Sequence, residues 1–294
     1  MKYISKVDEH VTHISEYLHE SAEYNLIIIH GMSEHRDRYK RVSEEISKEK
    51  INVYTIDLRG HYQSLEDGPL GHFENYEYMV YDIEGIIQMI KKVNPLPTTL
   101  MGHSMGSLYA RSYLNRYQDH SIDQLILMGS PYKPVGLKPL KALLSVLSKL
   151  KPKQKAQWIA NATNKTFMKN IDNPKTKLDW LSFDEDNVKE YISDPYNNFP
   201  FTYSGYYNLF ALLDEVYNHN WENNQSNLPI LFMIGQKDPC PDFKRDGFNQ
   251  AILKLKNVGY SNIDAIVYEN SRHEILNDFD QNIAINDIIH FIKK

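Results

Sequence analysis

The residues best able to do chemistry lie in Gly102-His103-Ser104-Met105-Gly106, a G-x-S-x-G pentapeptide between an apolar run and a helical pattern. Residues 98–101 read as the end of a buried strand. Residues 104–117 carry Leu108, Tyr109 and Tyr113 at helix spacing. A serine on such a strand-to-helix turn sits in a sharp elbow, with small flanking residues leaving room and the hydroxyl lifted clear of the sheet. The Met105 amide then faces a developing oxyanion from a helix N-terminus. A serine hydroxyl is a poor nucleophile at neutral pH, so it needs a base, and the base needs an orienting acid. With this elbow both follow the serine in the chain. The apolar run 230–235 leads to Asp238, and the strand-like run 263–268 leads to His273. Asp238 is the expected acid and His273 the expected base, each just past a strand's C-terminal end, where open α/β sheets gather their chemistry. Asp242 is the rival acid, further from the strand end. Alone, Asp238 also reads as a turn residue before Pro239 and His273 as a surface-loop histidine; together, in this order, they read as a triad with Ser104.

A second oxyanion donor is expected from an earlier loop. The buried-strand run 26–29 leads into His30-Gly31-Met32, where Gly31 lets the backbone bend closely and the Met32 amide is the expected donor. Four histidines, His30, His35, His61 and His72, fall in a short span. None has the paired spacing of a zinc site and no cysteine accompanies them, so they read as structural, and no metal or organic cofactor is expected. The single cysteine, Cys240, excludes an internal disulfide and reads as a buried or loop thiol.

These residues must be held by an alternation of elements. Strands are expected near 11–18 (one strand or a pair), 26–29, 52–56, 98–101, 124–128, 230–234 and 263–268. Helices are expected over 38–50, 75–93, 104–117, 242–256 and 281–292. In 75–93, Tyr76, Met79, Val80, Ile83, Ile87 and Ile90 form one apolar face. Such alternation means an α/β class fold with a mostly parallel, doubly wound sheet. It breaks once, after residue 130. Residues 131–207 are therefore expected to form an inserted cap, and residues 1–130 and 208–294 the core.

The cap has its own character. Between residues 131 and 171 there are nine lysines and no acid, in a chain whose net charge is −5. Leu140, Leu143, Leu144, Leu147 and Leu150 recur at helical spacing beside Lys141 and Lys149. Such a helix either lies on an anionic membrane surface or packs its leucines inward with a solvated lysine face. The later aromatics, among them Trp180, Tyr191, Phe199 and Tyr206, either line an acyl channel or form the cap's own core. The negative balance argues against nucleic acid as partner. No run is long enough to span a membrane and the N-terminus lacks a signal peptide's apolar region, so a cytoplasmic protein is expected, with peripheral membrane contact through the cap.

The motifs together resemble the monoacylglycerol lipase and lysophospholipase branch of the α/β hydrolases, which includes enzymes described as serine aminopeptidases. His30 to Tyr39 match H-G-x-x-E-H-x-x-R-Y at every fixed position, and Gly102 to Gly106 match G-H-S-M-G. Asp57 to Ser64 match D-x-R-G-H-G-x-S except that Tyr62 replaces a glycine. Gly235 to Asp238 match G-x-x-D, and His273 is the late histidine. The resemblance covers about residues 24–292. It implies an α/β hydrolase fold and a serine esterase acting on a single-chain lipid, a lysophospholipid or a monoacylglycerol. Two alternatives stay open: an aminopeptidase-like amide hydrolase, which needs an acidic anchor for a free amine, and a ligand-binding protein on the same fold.

Overall fold

The structure is a computed structural model, and it describes residues 1–242 and 246–294. The described residues form one sheet of eight strands: β1 (Lys2–Ile4), β2 (Val11–Tyr17), β3 (Tyr24–Ile29), β4 (Ile51–Ile56), β5 (Thr98–His103), β6 (Gln124–Met128), β7 (Ile230–Gly235) and β8 (Ile263–Tyr268). Their order is β1-β2-β4-β3-β5-β6-β7-β8. From β4 to β8 every pairing is parallel, while β1–β2 and β2–β4 are antiparallel. β4 lies on one side of β3 and β5 to β8 follow in order on the other, which brings the C-terminal ends of β3 and β5 side by side in the sheet's middle, with Ile29 opposite Gly102.

Helices α1 (Lys40–Ser47), α2 (Tyr76–Val93), α3 (Met105–Arg116), α8 (Gly247–Val258) and α9 (Gln281–Ile292) fall between or after the strands as the alternation predicts. The inner strands are apolar without interruption because both faces are covered. In β3, Ile27 and Ile29 join one core with residues of α2 and α3, while Leu26 and Ile28 join the other with residues of α1 and α9. Period-two alternation thus feeds two cores from one strand. α2 begins where the Asn75 side chain accepts the Glu77 amide at 2.9 Å.

Two elements differ from expectation. The sheet gains the three-residue edge strand β1, too short to leave a periodic signature. The helix expected over 242–256 is α8, which starts at Gly247; residues 243–245 of that expectation lie outside the described residues. Between β6 and β7 the chain makes α4 (Leu137–Leu150), α5 (Gln157–Phe167), α6 (Glu185–Ser193) and α7 (Tyr203–Asn218). α7 returns to the core and packs on α3 and α4.

Candidate active site

β5 ends at His103 and α3 begins at Met105, so the whole reversal falls on Ser104, whose backbone has φ 52° and ψ −116°. A non-glycine residue there is strained, and the surroundings must over-determine it. They do: a Cβ on Gly106 would come within 2.3 Å of the Ile29 carbonyl oxygen, so β3 and the start of α3 approach as closely as backbone allows. Met105, the first residue of α3, presents its amide at the helix N-terminus.

His273 lies on the loop after β8, and Asp238 follows β7. The His273 Nδ1–H donates to Asp238 Oδ2 at 2.9 Å, with the two side chains 3% and 0% exposed. Asp238 Oδ1 accepts the Cys240 amide at 2.9 Å, which fixes the carboxylate on its loop. The acid that meets His273 is therefore Asp238. Asp242 stands four residues on, at φ 52°. Cys240 is also buried, with Sγ 3.9 Å from His273 Nε2. Burial, followed by the Asp238 charge, pushes its thiol well up.

A buried charge network joins this histidine loop, the elbow and the loop after β3. Glu34 Oε1 accepts from the Gly31 amide, from the Tyr39 hydroxyl at 3.1 Å and from His103 Nδ1 at 2.8 Å. His103 Nε2 donates to the His273 carbonyl at 3.2 Å. Both nitrogens of His103 thus face acceptors, which only the doubly protonated ring satisfies. Burial opposes that charge, but Glu34 outweighs it and raises the His103 pKa. Burial likewise opposes the Glu34 charge, and His103 and Arg38 outweigh it to hold the carboxyl well below the usual range. Arg38 bridges Glu34 at 3.4 Å and Glu274 at 2.6 Å. The loop carrying Met32 runs against the elbow, since a Cβ on Gly31 would sit 3.1 Å from the Ser104 Cβ.

Sequence reasoning matched Glu34, Arg38 and His103 only as motif letters. Their work is done across separations of 69 and 236 residues, which no local pattern reveals. His30 and His61 have both ring nitrogens occupied by backbone. His30 Nδ1–H donates to Gly31 O at 2.7 Å while Nε2 accepts the Leu58 amide at 2.9 Å. His61 does the same with Arg59 O at 2.9 Å and the Ser33 amide at 3.4 Å. Neither has a nitrogen left for a ligand. His35 Nε2 meets Asp194 at 2.8 Å, and His72 Nδ1 meets Thr202 at 3.2 Å. Tyr62, where the resemblance has glycine, keeps a glycine-like φ of 44°, its ring between His35 and Tyr196 at 4.6 and 4.7 Å.

The segment after α5 lies over the histidine loop. The Glu274 amide donates to Leu181 O at 2.8 Å, and the Arg272 guanidinium donates to the carbonyls of Asp179 and Ser182. The Trp180 ring stands 5.2 Å from that of His273 and 4.7 Å from that of Phe167.

The family model described as serine aminopeptidase, S33, matches residues 20–280. The chain belongs to this family. As a serine aminopeptidase S33 member it is a hydrolytic enzyme, and its sheet and helices are those of the α/β hydrolase fold. It is 25% identical to the monoacylglycerol lipase of Mycolicibacterium smegmatis over 270 residues, 91% of this chain and 87% of that one. It is 30% identical to a probable lysophospholipase L2 of Haemophilus influenzae over 115 residues, 38% of this chain and 36% of that one. Among solved structures, a carboxyl esterase from Bacillus coagulans in complex with glycerol superposes with a TM-score of 0.84 at 23% identity, covering 100% of this chain and 97% of that one.

Proposed function

We propose that the protein is a carboxylic-ester hydrolase for single-chain lipids, a monoacylglycerol or a lysophospholipid, working through Ser104, His273 and Asp238. The observation that carries this reading is the buried 2.9 Å contact of His273 with Asp238 beside a strained serine elbow. Ser104 Oγ attacks the ester carbonyl while His273 Nε2 takes its proton. Asp238 holds the imidazole by Nδ1–H and stabilises the imidazolium. The amides of Met32 and Met105 hold the oxyanion, each donor worth roughly 10²–10³ in rate. His273 then protonates the leaving alcohol, and water releases the acid by the same route. Residues 131–207 act as the cap, a role supported by the contacts of Trp180, Leu181 and Ser182 with the histidine loop.

The lipid reading rests on the relatives and on the cap's chemistry. The amide-hydrolase alternative needs a free carboxylate to anchor an amine. Most of the cap's later acids are otherwise engaged: Asp179 accepts from Thr176, Asp184 caps α6, and Glu185 and Asp186 pair with Lys175 and Lys189, while Asp172 stands exposed. We further propose peripheral contact with anionic lipid surfaces. α4 turns Leu144 inward, fully buried, but leaves Leu143, Val146 and Leu150 49%, 54% and 71% exposed on one stripe. Of its neighbouring lysines, Lys141 pairs with Asp214 and Lys153 with Asp67, which withdraws them from a membrane. Lys138, Lys149 and Lys151 are exposed and form no ion pair among the described residues.

The test is a hydrolysis panel of monoacylglycerols, lysophospholipids, short aryl esters and aminoacyl anilides, with Ser104→Ala as control. Wild type is expected to turn over the lipid esters and Ser104→Ala none of them, with a fluorophosphonate labelling Ser104 alone. Turnover by Ser104→Ala, or preference for the anilides, sinks the reading.

A further inference from the structure

Cys240 is a buried nucleophile beside the triad that the mechanism leaves idle. Its Sγ faces His273 Nε2 at 3.9 Å, on the side of the ring opposite the Asp238 bond. A metal bound at ~2.3 Å from a thiolate and ~2.0–2.1 Å from an imidazole nitrogen, at a near-tetrahedral angle, needs these atoms roughly 3.5–3.6 Å apart. The observed gap needs only a few tenths of an ångström of closure. The ring also carries the partner that metal-bound imidazoles have, a carboxylate on the other nitrogen that fixes tautomer and orientation. Ligand atoms of Asp238, Cys240 and His273 lie within 4.8 Å of one another, all three residues buried. Thiolate and carboxylate together balance a charge of +2, so a divalent ion makes the cluster neutral.

We propose that Cys240 Sγ and His273 Nε2 form a binding site for a thiophilic divalent cation such as Zn²⁺, which inhibits the hydrolase by occupying the nitrogen that must accept the serine proton. Binding displaces the thiol proton to solvent and involves no oxidation; water completes the coordination. Hard cations such as Mg²⁺ and Ca²⁺ prefer oxygen ligands and are excluded by the sulfur. The metal site rests on the observed cluster alone, whereas its inhibitory effect rests on the proposed role of His273.

The experiment separates the two. Co²⁺ added to the whole protein should give a thiolate-to-metal charge-transfer band in the near ultraviolet, removed by Zn²⁺ or by a chelator. Cys240→Ser and Cys240→Ala, checked for unchanged thermal unfolding, should lose the band. They should keep basal ester hydrolysis and need at least tenfold more Zn²⁺ for half-inhibition. Asp238→Asn should weaken Co²⁺ binding by about 10–100-fold, the usual effect of losing a carboxylate behind a metal-bound histidine. No band in wild type, or Zn²⁺ inhibition undiminished in both Cys240 variants, overturns the site. A Cys240-dependent band without inhibition upholds the site and overturns His273 as the proton acceptor.

Discussion

At the scale of single residues, the proposed triad and its supports differ in how they are held. Asp238 acts on His273 through one bond to Nδ1. Asp238→Asn should therefore leave the geometry but offer the wrong tautomer, cutting kcat by about 10⁴, while Asp242→Asn changes it little. Steady-state kinetics on one soluble ester decides this, and the reverse pattern moves the acid to Asp242. His30 and His61 give a second prediction. Burial pulls His30 down to about 4 and His61 well below its usual value, and each ring is locked as Nδ1–H by backbone. Unfolded imidazoles titrate near 6.5. As pH falls, the unfolded chain takes the proton first, so stability from the neutral ring is full above 6.5 and is lost towards pH 4. For His30 that is roughly 3 kcal/mol. Imidazole ¹⁵N shifts should show both rings neutral at pH 5.5 in the folded protein. A protonated His30 at that pH refutes the assignment. Ser104, Asp238 and His273 stand out in the sequence because each follows an apolar strand run. The contact of Asp238 with His273 was not legible there, nor was the part played by Glu34 and His103, because burial and long-range pairing leave no local trace.

Among the elements, α4 is the instructive one, since its leucines serve two different masters. Leu144 is fully buried against the core, and Leu150 is 71% exposed. Leu144→Ala should destabilise by about 2–5 kcal/mol, and Leu150→Ala by less than about 0.5 kcal/mol. Denaturant midpoints measure both, and equal losses would mean that the stripe is covered. The sequence showed the helical spacing but could not divide the leucines between an inward and an outward face, because both faces are apolar. The inner strands were easy to read, being continuous apolar runs covered on both sides. The helices α5, α6 and α7 were not individually legible, as their aromatics fit cap core and substrate channel equally well. Tyr206 on α7 is buried in the main core, whereas Tyr196, between α6 and α7, is 42% exposed.

Across the whole molecule, positive charge is gathered into 41 consecutive residues while the total stays at −5. Each lysine near an anionic bilayer contributes about 1 kcal/mol. The attraction is screened within a Debye length of roughly 10 Å at 0.1 M salt. Lys138, Lys149 and Lys151 changed together to Gln should reduce sedimentation with anionic vesicles at low salt and weaken its salt dependence, with hydrolysis of a short soluble ester nearly unchanged. Equal binding by wild type and this variant would show that the lysines only solvate the helix. Adding Leu143→Ser and Leu150→Ser should lower binding even where salt has already screened the charge, because the stripe contributes by burial.

The segment after α5 grips the histidine loop through its own main chain: the carbonyls of Asp179, Leu181 and Ser182 receive the Arg272 guanidinium and the Glu274 amide. A carbonyl is supplied by any amino acid, so these bonds do not themselves depend on which side chain stands at the position, although Leu181 is buried and Asp179 and Ser182 also bond through their side chains. The core is the opposite case, for Glu34 serves Gly31, Tyr39 and His103 at once and cannot be exchanged without all of them losing a partner. The hold on the histidine loop thus asks for main chain, whereas the support of the elbow asks for one particular side chain, Glu34.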